Sequence, residues 1–178
     1  FLPDLDSVPK DVLARAKVLV LNYPNNPTGA SATPEFYAYV VEFALKHRLV
    51  VISDAAYAAL VYEGRPLSFL ATPGAKEVGV ELHSVSKAFN MTGWRCGWAL
   101  GPAPVIAACN ALQSHATSNV NSITQKAAVA ALTGSQGIAW SLPRKRKSGK
   151  RTGFRTRSSS TVDVHELFLF ASAFSDRI

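Results

Sequence analysis

The sequence predicts an α/β fold, a mostly parallel sheet with helices on both faces. Three observations point there. Short runs rich in Val, Ile and Leu alternate with stretches of helical periodicity. Those runs are apolar on both of their faces, as a sheet covered from both sides requires. Polar clusters follow directly on the ends of the runs, the place where open α/β sheets bind ligands.

In chain order, AKVLVLNYP is a β-branched run that closes on polar and turn residues, the first strand. Thr33-Pro34-Glu35 starts a helix, with Thr33 as N-cap and Pro34 at the first helical position. That helix should run to about His47 and bury Phe36, Val40, Phe43 and Ala44. RLVVISDAAY, GVELHSVSK and WRCGWALG supply three more strands. Ala-rich helices are expected from Pro104 to about Ser114 and from Ile123 to about Leu132.

At 178 residues the chain can bury a sizeable single core. Its 48% hydrophobic and 17% charged content excludes a disordered polymer. No apolar run approaches the ~20 residues of a membrane helix. The start, FLPDLDSVPK, has no basic segment leading into an apolar stretch, so no signal peptide is expected, and it reads as a chain entered mid-fold. Cys96 and Cys109 make neither a metal spacing nor a disulfide framework; buried reduced thiols and a cytoplasmic setting are expected.

The net charge of +7 sits in one place. Residues 1–140 hold ten Lys/Arg against nine Asp/Glu, and residues 141–178 hold nine against three. The body, 1–140, is therefore nearly neutral. The tail, 141–178, opens with SLPRKRKSGKRTGFRTRSSST, which is basic, Ser-rich and without apolar periodicity, so no packed element is expected there. Its later run VDVHELFLFASAF is apolar but has no partner identifiable from sequence. Phe154 is the basic run's single aromatic and no reader motif is present, which argues against a nucleic-acid arm.

Four polar clusters lie at predicted strand ends: Asn25-Asn26-Pro27-Thr28-Gly29, Asp54-Ala55-Ala56-Tyr57, Ser84-Val85-Ser86-Lys87, and Arg95. A lysine directly after a buried strand should be partly desolvated, which frees its amine to attack a carbonyl. Asp54 would be costly to bury without a cationic partner, which a protonated pyridine nitrogen supplies. Tyrosine hydroxyl and asparagine amide suit a phenolate oxygen, while serine hydroxyls and a guanidinium suit a phosphate. The set matches pyridoxal phosphate group by group. Taken singly, each motif is an ordinary turn or strand end; the ordered set carries the signal.

NYPNNPTG, DAAYAALVYEG, HSVSKAFNMTGWRCGWALG and QSHATSNVNSITQKAAVAAL together resemble the class I aminotransferases of fold type I, over roughly residues 1–136. GAKEVGVELHSVSKAFNMTGWR is most similar to the LL-diaminopimelate aminotransferases, and the QSHATSN block to prokaryotic aspartate aminotransferases. The resemblance implies the large, cofactor-binding domain of such an enzyme. Lys87 would form the Schiff base with pyridoxal phosphate and carry the proton. Asp54 would keep the pyridine nitrogen protonated, and Tyr57 and Asn26 would bond the phenolic oxygen. Ser84, three before the lysine, and Arg95, eight after it, would hold the phosphate, with Ser86 a further contact. The substrates implied are an amino acid and a 2-oxo acid, exchanged in a homodimer with no membrane or nucleic-acid partner. Ser118 and Asn119 fall in a block near the dimer interface.

His47 and His83 read as a helix-end and a strand histidine, Trp94 and Trp98 as packing residues, and Asn90 as either a shaper or a cap of the turn after Lys87. Two parts of the family pattern find no match: a preceding loop that caps the phosphate with its ring-stacking aromatic, and a following small domain with the substrate-carboxylate arginine. The tail therefore reads as aberrant or out-of-frame sequence, and residues 1–178 alone are expected not to turn over substrate. Two other functions compete: a β- or γ-lyase of the same fold, and a non-catalytic transaminase-like module.

Overall fold

The computed structural model describes residues 1–61, 65–134 and 168–170. Helix α1 (Lys10–Arg15) leads into strand β1 (Val18–Asn22), then α2 (Pro34–His47) and β2 (Val50–Asp54). A short α3 (Ala75–Val78) precedes β3 (Gly79–Ser84), which passes straight into α4 (Val85–Ala88). β4 (Gly97–Leu100), α5 (Ala103–Ala116), α6 (Ser122–Thr133) and β5 (Phe168–Phe170) complete the order. Every strand and long helix expected from the body is present; the helix bounds agree within two residues, and three strands are three residues shorter at one end than the runs that announced them.

The sheet runs β1-β2-β3-β4-β5. β1, β2 and β3 are mutually parallel, β4 is antiparallel to β3, and β5 is antiparallel to β4. β5 gives the apolar part of the tail a backbone partner that the sequence did not reveal, Trp98 pairing with Leu169. The rest of the tail, whose basic half was expected not to pack, lies outside the described residues.

α2 forms where its caps dictate. The Thr33 hydroxyl accepts the Phe36 N–H at 3.2 Å, Pro34 occupies the first turn, and Arg48 turns left-handed (φ 55°) to close the end. Its buried face holds Phe36, Tyr37, Val40, Val41, Phe43 and Ala44, packed with Leu21, Val51 and Phe69. Fully burying such side chains is worth about 1.5–3 kcal/mol each. Side chains alternate across a strand, so Val80 and Ala99 belong to the opposite face, where they pack with Ile106 of α5. Helices thus cover both faces. On the α5 side the sheet is bare over β1 and β2 among the described residues, and Val20 is 64% exposed.

Candidate active site

The strand register assembles the site. Asn22 closes β1 opposite Asp54, and Asp54 lies opposite Leu82, so β3 runs two residues further, to Ser84. Ser84 pairs with Gly97, which brings Arg95 to the same end of the sheet. A side chain at residue 97 could not fit there, because its Cβ would stand 2.6 Å from the His83 carbonyl oxygen. All four polar clusters therefore meet at one end of the sheet, as the sequence predicts.

The loop after β1 is fixed by its own amides. Asn25 Oδ1 accepts the Thr28 N–H at 3.3 Å and the Thr28 hydroxyl at 2.7 Å. Gly29, left-handed at φ 70°, donates its N–H to the Asn25 carbonyl at 2.7 Å. The Asn26 side chain is left to reach outward, and its Nδ2 donates to the Tyr57 hydroxyl at 3.1 Å. Lys87 Nζ lies 5.7 Å from the centre of the same tyrosine ring. Tyr57 thus joins the Asn26 and Lys87 clusters.

Asp54 is half-buried at the end of β2. Its Oδ1 accepts the Ala56 N–H at 3.1 Å. The ion pairs among the described residues are Arg15–Asp11 and His83–Glu81, so Asp54 has none. No hydrogen bond joins Asp54 to Lys87; the connection runs through Asn22. Asn22 Nδ2 donates to the Asp54 carbonyl at 3.2 Å, and its Oδ1 accepts the Asn26 N–H at 3.0 Å. One amide therefore pins Asn26 to Asp54. The sequence reading missed it, although a polar side chain ending an apolar run just before Asn-Asn-Pro-Thr-Gly was a usable signal.

Ser84 caps α4, its hydroxyl accepting the Ser86 N–H at 3.1 Å. Buried Val85 anchors the turn. Lys87 itself is exposed, which corrects the expected desolvation: the following turn leads its side chain away from the strand's packing rather than into it. Asn90 turns left-handed (φ 54°) just after α4, so it ends the helix and thereby shapes the turn. Thr92 donates its hydroxyl to the Ser86 carbonyl at 3.2 Å, and its own carbonyl accepts from Arg95 Nη1 at 3.2 Å.

Two clefts flank these groups. One, of about 500 Å³, is lined by Asn25, Asn26, Gly29, Tyr57 and Leu60 among others. The second, of about 590 Å³, lies between Asn90, Trp94, Arg95 and the Asn119–Thr124 segment. Trp94 was expected to pack, but it is 44% exposed at this second cleft because it follows the turn instead of entering β4. Trp98 does pack, stacked on His83 with centroids 5.2 Å apart. His83 also bonds Glu81 at 2.8 Å, and His47 ends α2 against Phe43, so both histidines are structural. Cys96 is buried, and burial pushes its thiol pKa up; Cys109 is half-buried, and both are free.

The donor set fits a flat, polar, anionic heterocycle. A half-buried carboxylate without an ion pair suits a ring N–H. An amide and a phenol already in contact suit a ring oxygen, an amine stands beside them, and hydroxyls and a guanidinium come from the same end of the sheet. Among the described residues no helix is long and apolar enough to cross a membrane, and no group of three His, Cys, Asp or Glu gathers that could hold a metal.

Known proteins share this sequence and fold. The family described as aminotransferase class I and II matches residues 1–157. An LL-diaminopimelate aminotransferase of Desulforudis audaxviator is 52% identical over 143 residues, 80% of this chain and 36% of that protein. Another, of Methanocaldococcus jannaschii, is 55% identical over 129 residues, 72% of this chain and 31% of that protein. Among solved structures, apo-BacF from Bacillus subtilis has a TM-score of 0.76 at 45% identity, covering 79% of this chain and 38% of its own. A probable N-succinyldiaminopimelate aminotransferase from Thermus thermophilus has a TM-score of 0.74 at 42% identity, covering 78% of this chain and 38% of its own. The chain thus spans about a third of the length of the relatives it matches. With its fold, strand-end clusters and sequence all in agreement, it belongs to the class I and II aminotransferase family.

Proposed function

We propose that residues 1–140 form part of the pyridoxal-phosphate-binding domain of an aminotransferase, with 141–178 a basic tail whose Phe168–Phe170 segment adds an edge strand to its sheet. The observation that carries this is the meeting of Asn26, Tyr57 and Lys87 around one phenol ring, with Asp54 tied to Asn26 through Asn22. Bound there, the cofactor would supply an aldehyde to take the amino group and a ring to take up electrons from the substrate carbon.

The residues have distinct tasks in this reading. Asp54 holds a proton at the ring nitrogen. Asn26 and Tyr57 would donate to the phenolic oxygen. Ser84, Ser86 and Arg95 grip the phosphate, the guanidinium giving the strongest of these bonds. Lys87 would be the amine that holds the cofactor through its aldehyde group. Its free amine would take the proton from the substrate carbon as a general base and return it as an acid. Its exposure keeps the amine free to swing between those positions.

The reaction is an amino transfer between an amino acid and a 2-oxo acid, in a cytoplasmic homodimer. Two relatives named for LL-diaminopimelate and a structural neighbour named for its N-succinyl derivative favour a diaminopimelate-type donor over aspartate. The test uses a full-length protein carrying these residues, loaded with pyridoxal phosphate. LL-diaminopimelate should discharge the visible absorbance of the bound cofactor, and 2-oxoglutarate should restore it. Discharge by aspartate alone would overturn the substrate assignment, and discharge by no amino acid would overturn amino transfer.

A further inference from the structure

We infer that Thr92 is a positioning residue that couples the Lys87 amine to the Arg95 guanidinium. This rests on the roles proposed above for those two residues. Thr92 opens the single turn Thr92–Trp94 between α4 and β4. Its hydroxyl donates to the carbonyl of Ser86, the residue immediately before Lys87, at 3.2 Å. Its own carbonyl accepts from Arg95 Nη1, also at 3.2 Å. One residue therefore touches the amine-bearing turn with its side chain and the guanidinium with its backbone.

The local backbone explains why such a clasp is needed. In a continuing helix the Ser86 carbonyl would take the Asn90 N–H. Instead α4 ends at Ala88 and Asn90 turns left-handed at φ 54°, so the Thr92 hydroxyl bonds that carbonyl. Arg95 is left-handed too, at φ 52°, a conformation that residues other than glycine hold only with outside support. Buried Cys96 fixes the chain directly after it. The distance between amine and guanidinium is then set through Thr92, and with it the ability to tell a phosphorylated aldehyde from an unphosphorylated one.

The experiment measures that discrimination in the 178-residue chain. Pyridoxal phosphate or pyridoxal is added with cyanoborohydride. The Lys87 amine adds to the aldehyde carbon with loss of water, the hydride reduces the new carbon–nitrogen bond, and peptide mass spectrometry gives the labelling rate at Lys87. Thr92→Val removes the hydroxyl and keeps the shape. It should cut the ratio of pyridoxal phosphate to pyridoxal labelling about two- to tenfold, the worth of one neutral hydrogen bond. Thr92→Ser should restore the ratio. A merely structural residue would slow both reagents alike and leave the ratio unchanged, and that result would overturn the inference, as would failure of serine to rescue. If the unsubstituted chain shows no preference for pyridoxal phosphate at Lys87, the cofactor reading fails instead. Amide hydrogen exchange in the free chain then decides the coupling: Thr92→Val but not Thr92→Ser must speed exchange across Lys87–Arg95, and equal exchange in both variants would overturn it.

Discussion

Replacing Glu81 should weaken the fold more than any surface change, because the strand carrying the site is tied down through that carboxylate. Glu81 is 1% exposed in β3. Its carboxylate accepts the Phe69 N–H at 2.6 Å, the Leu70 N–H at 3.3 Å, the Ser68 hydroxyl at 3.0 Å and a bond with His83 Nε2 at 2.8 Å. Burial pushes its pKa up, but the hydrogen bond and charge of His83, with the Ser68 and Leu70 bonds, outweigh that and hold it below the ordinary value. Glu81→Ala strands the buried Phe69 N–H, at about 1–3 kcal/mol, and removes the weaker part-buried bonds to the Leu70 N–H and Ser68 hydroxyl and the partner of His83, so a loss of about 3–5 kcal/mol follows. Glu81→Gln keeps one acceptor oxygen and the volume, and should lose about 1–2 kcal/mol. The folded pKa is depressed, so this stability is fully present above the usual glutamate range near ~4.3 and disappears as pH falls through the lower folded value. Urea unfolding followed by circular dichroism, at neutral pH and again below pH ~4, measures both effects. A Glu81→Ala loss under about 0.5 kcal/mol at neutral pH, or one that grows on acidification, would refute the reasoning.

Three further predictions follow from the same geometry. Asn22→Leu should cost about 0.5–1.5 kcal/mol in urea unfolding, by removing the bonds to the Asp54 carbonyl and the Asn26 N–H, and should slow capture of pyridoxal phosphate at Lys87. Gly97→Ala forces a Cβ to within 2.6 Å of the His83 carbonyl oxygen, so strand β4 must shift; a thermal melt should record a loss of about 1–3 kcal/mol. The Tyr37 hydroxyl is pushed up to about 12 by burial and by the nearby Glu81 charge. A raised folded pKa gives stability that is complete below pH ~10 and lost as pH rises toward 12, so the wild-type chain should lose more stability over that window than Tyr37→Phe.

What was legible in the sequence was whatever local chemistry dictates. The strand runs are β-branched and bounded by turn residues, and α2 announces itself with Thr33, Pro34 and its buried Phe36, Val40, Phe43 and Ala44. The proposed site residues stood out in the sequence because their side-chain types match one ligand and they lie at strand ends; register brings the ends of β1, β2 and β3 together, and the antiparallel β4 brings in Arg95 at its start. What escaped depends on contacts that no local pattern encodes. Lys87 follows a strand as expected, yet its exposure is decided by the turn of α4. Trp94 lies one residue before Arg95, whose left-handed backbone takes the chain into β4 and leaves the indole outside. The clamps at Asn22 and Thr92 join segments only after folding, as does the pairing of β5 with β4. Glu81 could have been found: a carboxylate in an apolar strand must be met by donors, and Ser68 and His83 are two of them.

The central claim is that Lys87, among the nine lysines of the chain, is the one placed to bond pyridoxal phosphate. Reductive trapping at low cofactor concentration, followed by peptide mapping, tests it most directly. The account predicts one dominant adduct, at Lys87, that weakens when Asp54 is changed to Ala and disappears in Lys87→Ala without transfer to another lysine. Label spread evenly over the exposed lysines, or a main adduct at any residue other than Lys87, would contradict it.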